Sequence, residues 1–325
     1  MDPGNPTDIR TASAFRDLAL HRFREQAATV PVYRDFCRYL NVRPDRVREI
    51  RDIPFLPIDA FKTHRVLREG LKEQLVFRSS GTTDTGLSAH PVADPAGYQN
   101  SFLSAFRLFY GSPEDWTLLA LLPSYRDRPG SSLIYMVNEL IGRSGSPQSG
   151  FIGPDPVEAA ARIREAEKGS RPVLLLGVSF ALLDVAEAHP MSLSNTVVME
   201  TGGMKGRRKE MVREALHDLL CNAFGQERIH SEYGMTELFS QAYSAGNGIF
   251  RCPPWMDVLI RDPADPLARM PAGRTGGIDI IDLANRDSCS FIATQDLGRR
   301  HADGSFEVLG RFDHSDVRGC NLLVV

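Results

Sequence analysis

Between residues 117 and 232 the chain alternates short apolar runs with longer amphipathic segments, and this alternation constrains its fold more than any other feature. Thr117-Leu118-Leu119-Ala120-Leu121-Leu122 is almost wholly apolar and stops at Pro123. A run of that length without polar alternation reads as a strand covered on both faces. Comparable strands are expected at 173–176, 195–199 and 228–232, separated by helical periodicity over 131–141, 156–168, 180–188 and 207–224. Strands alternating with helices of this length predict an α/β layered architecture around a largely parallel sheet. Upstream, helices are expected over 13–29, with Ser13 as cap, over 32–40 and over 97–110. Ile53-Pro54-Phe55-Leu56-Pro57 is extended, because its prolines exclude a continuous helix. After Tyr233 the texture changes to short β-like runs at 257–260, 277–281 and 290–294, divided by Pro/Gly/Asp turns. The expected organisation is an α/β core over 1–240 and a β-rich subdomain over 241–325.

Composition removes several function classes. The 325 residues, 42% hydrophobic, can bury a substantial core, and a net charge of -3 gives no global pull towards nucleic acid or an anionic membrane. Five cysteines, Cys37, Cys221, Cys252, Cys289 and Cys320, include no CxxC pair, so neither a disulfide framework nor a zinc site is indicated. A reducing, cytoplasmic setting is expected. The polar N-terminus has no apolar export segment, and no stretch is long and apolar enough for a membrane span.

Five segments carry residues suited to chemistry. Ser79-Ser80-Gly81-Thr82-Thr83 follows the apolar Leu75-Val76-Phe77. Its glycine permits close backbone approach and its hydroxyls can donate to phosphoryl oxygens, although a turn-rich surface loop has the same composition. Glu200-Thr201-Gly202-Gly203-Met204-Lys205 follows an apolar run, where glycines let a flat ligand lie against backbone; the cations Lys205, Arg207, Arg208 and Lys209 then open a helix, against its dipole, unless an anion lies nearby. Ser231-Glu232-Tyr233-Gly234-Met235-Thr236-Glu237 supplies a ring, a hydroxyl and a hard oxygen ligand suited to Mg²⁺ on a nucleotide phosphate. Thr294-Gln295-Asp296 offers a carboxylate for two ribose hydroxyls, and Gly310-Arg311-Phe312-Asp313 lies near the end.

Taken in order, these segments resemble the adenylate-forming superfamily of acyl and aryl acid ligases. Within it the chain looks most like the acyl-protein synthetase, or long-chain fatty acid luciferin-component ligase, family. That closer resemblance rests on Ile53-Pro54-Phe55-Leu56-Pro57 with Phe61-Lys62, Phe77-Arg78-Ser79-Ser80-Gly81-Thr82-Thr83, Leu121-Leu122-Pro123-Ser124-Tyr125, Glu200-Thr201-Gly202-Gly203, and Gly310-Arg311-Phe312-Asp313 through Cys320. The resemblance implies that Ser79, Ser80, Gly81, Thr82 and Thr83 hold the β- and γ-phosphates of ATP. It further implies that Tyr233 flanks the adenine, Thr236 meets the α-phosphate, Glu237 binds Mg²⁺ and Asp296 takes the ribose hydroxyls with help from Arg311. Full-length adenylating ligases carry a further domain of about 100 residues with a catalytic lysine. The resemblance implies that this chain does without it, leaving Lys205 and Arg318 as candidate replacements.

Cys320 has two readings: a tail cysteine packed with Leu322, Leu323 and Val324, or a nucleophile whose thiolate character is raised by Arg318. The resemblance favours the second, since a cysteine in this Arg-Gly-Cys context is the family's acylation site. The implied reaction is ATP-dependent activation of a fatty or aryl carboxylic acid as acyl-AMP, followed by transfer to a thiol. That thiol is Cys320 or belongs to a partner, a reductase or carrier protein, with CoA or phosphopantetheine as further thiol donors or acceptors. Two alternatives remain open from the residues: an ATP-independent acyltransferase fed by acyl-CoA or an acyl-carrier thioester, and a non-catalytic nucleotide-binding subunit.

Overall fold

The computed structural model describes residues 5–79, 86–122, 130–202 and 211–312. In chain order the elements are α1 (Ala12–Thr29), α2 (Pro31–Tyr39), β1 (Leu56–Pro57), α3 (Ala60–Thr63), β2 (Leu75–Arg78), β3 (Ala89–Val92), α4 (Pro95–Tyr110) and β4 (Thr117–Leu121). They continue with α5 (Ser132–Ser144), β5 (Gly150–Phe151), α6 (Pro156–Glu167), β6 (Val173–Val178), α7 (Ser179–Ala188), β7 (Thr196–Thr201), α8 (Arg213–Phe224) and β8 (His230–Tyr233). The last are β9 (Ala242–Ser244), β10 (Ile249–Arg251), β11 (Met256–Arg261), β12 (Thr275–Asp282), β13 (Phe291–Arg300) and β14 (Phe306–Arg311).

Local chemistry accounts for many of the boundaries. Asp94 and Asp155 accept hydrogen bonds from the first turns of α4 and α6, each of which opens on a proline whose missing N–H costs nothing there. Thr11, rather than the expected Ser13, caps α1. α8 begins at Arg213, later than the expected 207, and ends where Gly225 takes a left-handed φ of 62°.

One large sheet runs in the order β11-β12-β13-β14-β10-β9-β8-β7-β6-β4-β5, with β1 added alongside β13. From β8 to β5 every pairing is parallel, and β4 and β6 are buried at every position, as their unbroken apolar sequences require. From β8 to β9 and beyond, pairings along this order are antiparallel. The texture change near residue 240 therefore coincides with a change of strand direction inside one continuous sheet. β2 and β3 form a separate antiparallel hairpin around the Ser/Gly/Thr segment.

Alternation along β8 assigns the two faces of the sheet. The Tyr110 hydroxyl of α4 pairs with His230 Nδ1 at 3.0 Å, whereas Ser231 Oγ lies 3.3 Å from His217 Nε2 of α8. α4 and α8 thus cover opposite faces. The N-terminal helices pack on the antiparallel half through Phe23, Tyr33 and Phe291, whose ring centroids lie 6.1 to 6.2 Å apart. Deep in that half, Asp279 is fully buried between Arg261, 2.6 Å away, and Arg269. Among the described residues no helix is long and apolar enough to cross a membrane.

Candidate functional site

β8 ends at Tyr233, and the loop that follows is held by buried polar anchors. Asp282, fully buried, accepts from the Phe239 and Ser240 amides at 2.6 and 2.9 Å and from Ser240 Oγ at 2.6 Å. His90 Nδ1 meets the Thr236 carbonyl at 2.9 Å, and Asn285 Nδ2 donates to the Glu237 carbonyl at 3.0 Å. With its carbonyl engaged, Thr236 keeps a half-buried hydroxyl that bonds to no described residue. Burial pushes His90 down to about 4, so it is neutral at physiological pH and acts as an anchor.

Glu237 is 4% exposed. Burial raises its carboxyl above the ordinary range, while a hydrogen bond from Ser88 and the charges of Arg311 and Lys62 act in the other direction. Ser88 also closes the mouth of the β2–β3 loop: Ser79 N donates to the Ser88 carbonyl at 3.1 Å and Ser88 N donates to Ser79 Oγ at 3.0 Å. The base of the Ser/Gly/Thr segment is therefore fixed beside Glu237. Lys62 itself is 2.8 Å from Asp59, which accepts from Gln295 Nε2 at 2.6 Å.

Asp296 on β13 and Arg311 on β14 face each other in register, and Arg311 Nε lies 3.2 Å from Asp296 Oδ1. The Tyr233 hydroxyl donates to Asp296 Oδ2 at 2.8 Å. Burial raises Asp296, and the Tyr233 hydrogen bond followed by the Arg311 charge offsets that rise. Tyr233 is not a free stacking plate: it is 8% exposed, with its ring against Phe250 and Phe306 at 5.8 and 5.7 Å. Arg311 is different, its side chain 71% exposed over the carboxylate.

Behind β7 lies a second charged group, to whose carboxylate the sequence assigns no role. Glu200, 2% exposed, is held ionised against burial by His217, by Arg213 at 3.1 Å and by the Ser179 hydroxyl at 3.2 Å. Ser179 Oγ also donates to the Gly202 carbonyl at 3.2 Å, and Gly202 takes the left-handed φ of 70° that its glycine permits. On the other face of the sheet Thr201 Oγ1 donates to Glu232 at 2.5 Å. Both carboxylates lie inside segments that stand out in the sequence, but their function as braces depends on strand neighbours that only the fold brings together.

The structure thus brings Ser79, Tyr233, Thr236, Glu237, Asp296 and Arg311 to one end of β8, with Gly202 at the end of the adjoining β7. Ser80, Gly81, Thr82, Thr83, Gly203, Lys205 and Cys320, and with them Arg318, lie outside the described residues. A nucleotide fits the described remainder: one Asp296 oxygen meets Tyr233 and the other Arg311, and the carboxyl keeps further lone pairs for hydroxyl donors. Among the described residues no group of three or more His, Cys, Asp or Glu could hold a metal ion. Mg²⁺ carried on a phosphate needs only one or two protein carboxylates, which Glu237 can provide.

No protein-family model and no curated protein matches the chain. Solved structures do. One is an open conformation of 2-hydroxyisobutyryl-CoA ligase in complex with 2-HIB-AMP and CoA, with a TM-score of 0.66 and 14% identity over 95% of this chain and 72% of that one. Another is ATP-bound MatB from Rhodopseudomonas palustris, with a TM-score of 0.56 and 18% identity over 73% of this chain. The match spans 47% of MatB, about half its length. Identities this low speak for the fold alone, and not for the acyl-protein synthetase family: the chain shares its mixed α/β fold with these solved structures.

Proposed function

We propose that this protein activates a carboxylic acid with ATP, forming acyl-AMP and pyrophosphate, and passes the acyl group to a thiol. The observation that carries the proposal is the meeting of Asp296, Arg311, Thr236 and Glu237 at one end of β8, beside the base of the Ser/Gly/Thr segment. In the first step the acid's oxygen attacks the α-phosphorus and the bond to the β-phosphate bridging oxygen breaks. In the second a thiolate attacks the acyl carbon and AMP leaves with the C–O electron pair. Asp296 binds the ribose hydroxyls, and the exposed Arg311 offers donors to the same nucleotide. The Thr236 hydroxyl reaches the α-phosphate, and Ser79 to Thr83 cradle the outer phosphates. Mg²⁺, held by Glu237, would neutralise phosphate charge. Tyr233 serves the nucleotide indirectly, by fixing the Asp296 carboxylate.

Cys320 is the proposed in-chain acyl acceptor, with a reductase, a carrier protein or CoA as onward partner, and Lys205 the proposed cation near the transferring group. Acid-dependent exchange of labelled pyrophosphate into ATP is the expected result across a panel of fatty and aryl acids. Failure of every acid would overturn the activation step. Intact mass after incubation with ATP and the active acid should show one acyl adduct that is missing in Cys320→Ser. An unchanged adduct in that variant would remove Cys320 from the mechanism.

A further inference from the structure

β8 has a second end. At His230, away from the Tyr233–Glu237 loop, a cleft of about 560 Å³ opens between α4, the start of β8 and the β9–β10 hairpin. That volume lies within the range of small-molecule sites. Phe109, Tyr110, Tyr243 and His230 form one continuous aromatic wall, with centroid separations of 5.2 Å for Phe109–Tyr243, 5.3 Å for Tyr110–Tyr243 and 5.8 Å for Tyr110–His230. The hairpin that closes the cleft turns through left-handed Asn247 and Gly248, with φ of 58° and 65°.

The polar groups in this cleft are incompletely used. His230 gives Nδ1 to the Tyr110 hydroxyl, and Nε2 has no partner among the described residues. Burial and Arg228 push His230 down to about 4, so it meets a ligand as a neutral ring. Tyr243 is 4% exposed, yet its hydroxyl bonds to no described residue. At the rim, Arg251 is paired with Asp303 at 2.8 Å. Among the described residues Arg228 is paired only with its sequence neighbour Glu227, 4.0 Å away and 93% exposed, so its guanidinium retains donors for a ligand. An aromatic wall, two open hydrogen-bonding groups and an uncommitted arginine therefore share one cleft in a chain whose net charge is -3.

We propose that this cleft is a second binding site, separate from the nucleotide end of β8, for a planar aryl carboxylate. The carboxylate takes the Arg228 fork, the ring lies on the Tyr110–Tyr243–Phe109 wall, and a ring hydroxyl meets His230 Nε2 and the Tyr243 hydroxyl. The proposal rests on the cleft alone and stands or falls without the activation chemistry.

Titration calorimetry of the full chain with 2-hydroxybenzoate tests it. Saturable binding unchanged by saturating ATP is expected, and the component that Arg228→Gln weakens is the cleft, as distinct from any substrate binding at the Tyr233 end. The Arg228 side chain is 61% exposed, so water screens its hold on a carboxylate; Arg228→Gln should weaken binding several-fold, and a change at so exposed a side chain is expected to leave the fold intact. Tyr243→Phe, which keeps the ring, should weaken 2-hydroxybenzoate more than benzoate. Cyclohexanecarboxylate, with the charge but no aromatic face, should bind several-fold less tightly than benzoate. Absence of saturable binding, competition with ATP, or an affinity unchanged in Arg228→Gln would overturn the proposal.

Discussion

Removing the Tyr233 hydroxyl should show how the candidate site at the end of β8 is held. Tyr233 and Asp296 come from strands that are not neighbours in the sheet, and their 2.8 Å hydrogen bond is buried. The Phe250 and Phe306 rings that flank Tyr233 keep the same packing in Tyr233→Phe, so the change isolates one donor. A hydrogen bond lost with its acceptor still buried costs about 2 kcal/mol. The acceptor keeps Arg311, whose 71% exposed side chain is a poor substitute because water screens it. The pH dependence follows from Asp296, whose folded carboxyl lies above its ordinary value of 3.8. A group raised in this way favours the folded state below the ordinary value, and that advantage is lost as pH rises through the folded value. Tyr233→Phe raises the folded value further, so its penalty is larger at higher pH and narrows on acidification towards the ordinary carboxylate range. Urea unfolding at pH 7 and pH 5 measures this directly. Destabilisation below about 0.5 kcal/mol at pH 7, or a penalty that grows on acidification, would refute the reasoning.

Two further outcomes follow from buried charge. Arg261→Met leaves Asp279 with Arg269 alone in a fully buried setting; a destabilisation of about 3 kcal/mol is expected in urea, whereas an exposed arginine replaced in the same way would change little. Burial lowers His90 from 6.5 to about 4, so the unfolded chain gains its proton first and stability drains away as pH falls from 6.5 through 4. His90→Asn, which places a polar atom near Nδ1, should flatten that slope, read as the difference in unfolding free energy between pH 7 and pH 4.5; an unchanged slope would assign the acid sensitivity elsewhere.

The parallel half of the sheet was legible because buried strands announce themselves. The 117–122 and 173–176 runs have no polar side chain that must reach water, and they became the fully buried β4 and β6. β9, β10 and β14 were not anticipated: three to six residues long, with Ser244, Arg251 and Arg311 among them, they owe their strand character to partners distant in sequence. The site divides along the same line. Tyr233, Thr236, Glu237, Asp296 and Arg311 stood out because their residue types suit nucleotide chemistry. Asp282, Asn285 and His90 did not, because an anchor acts through what it touches. His90 sits in an ordinary Ala-His-Pro-Val strand, and its tie to the Thr236 carbonyl spans 146 positions.

The direction change in the sheet explains why the candidate site lies where it does. β8 is parallel to β7 on one side and antiparallel to β9 on the other. The chain leaving Tyr233 therefore returns through a short loop to the adjacent strand, where a crossover helix would have covered the strand ends. Ligand sites of open α/β sheets lie at the carboxyl ends of strands where the topology changes, since no connection fills the crevice there. In this chain the loop at that position places Thr236 and Glu237, and the antiparallel strands beyond it supply Asp296 and Arg311. Each half of the sheet alone lacks part of the set, which is why the candidate site at this end of β8 requires both.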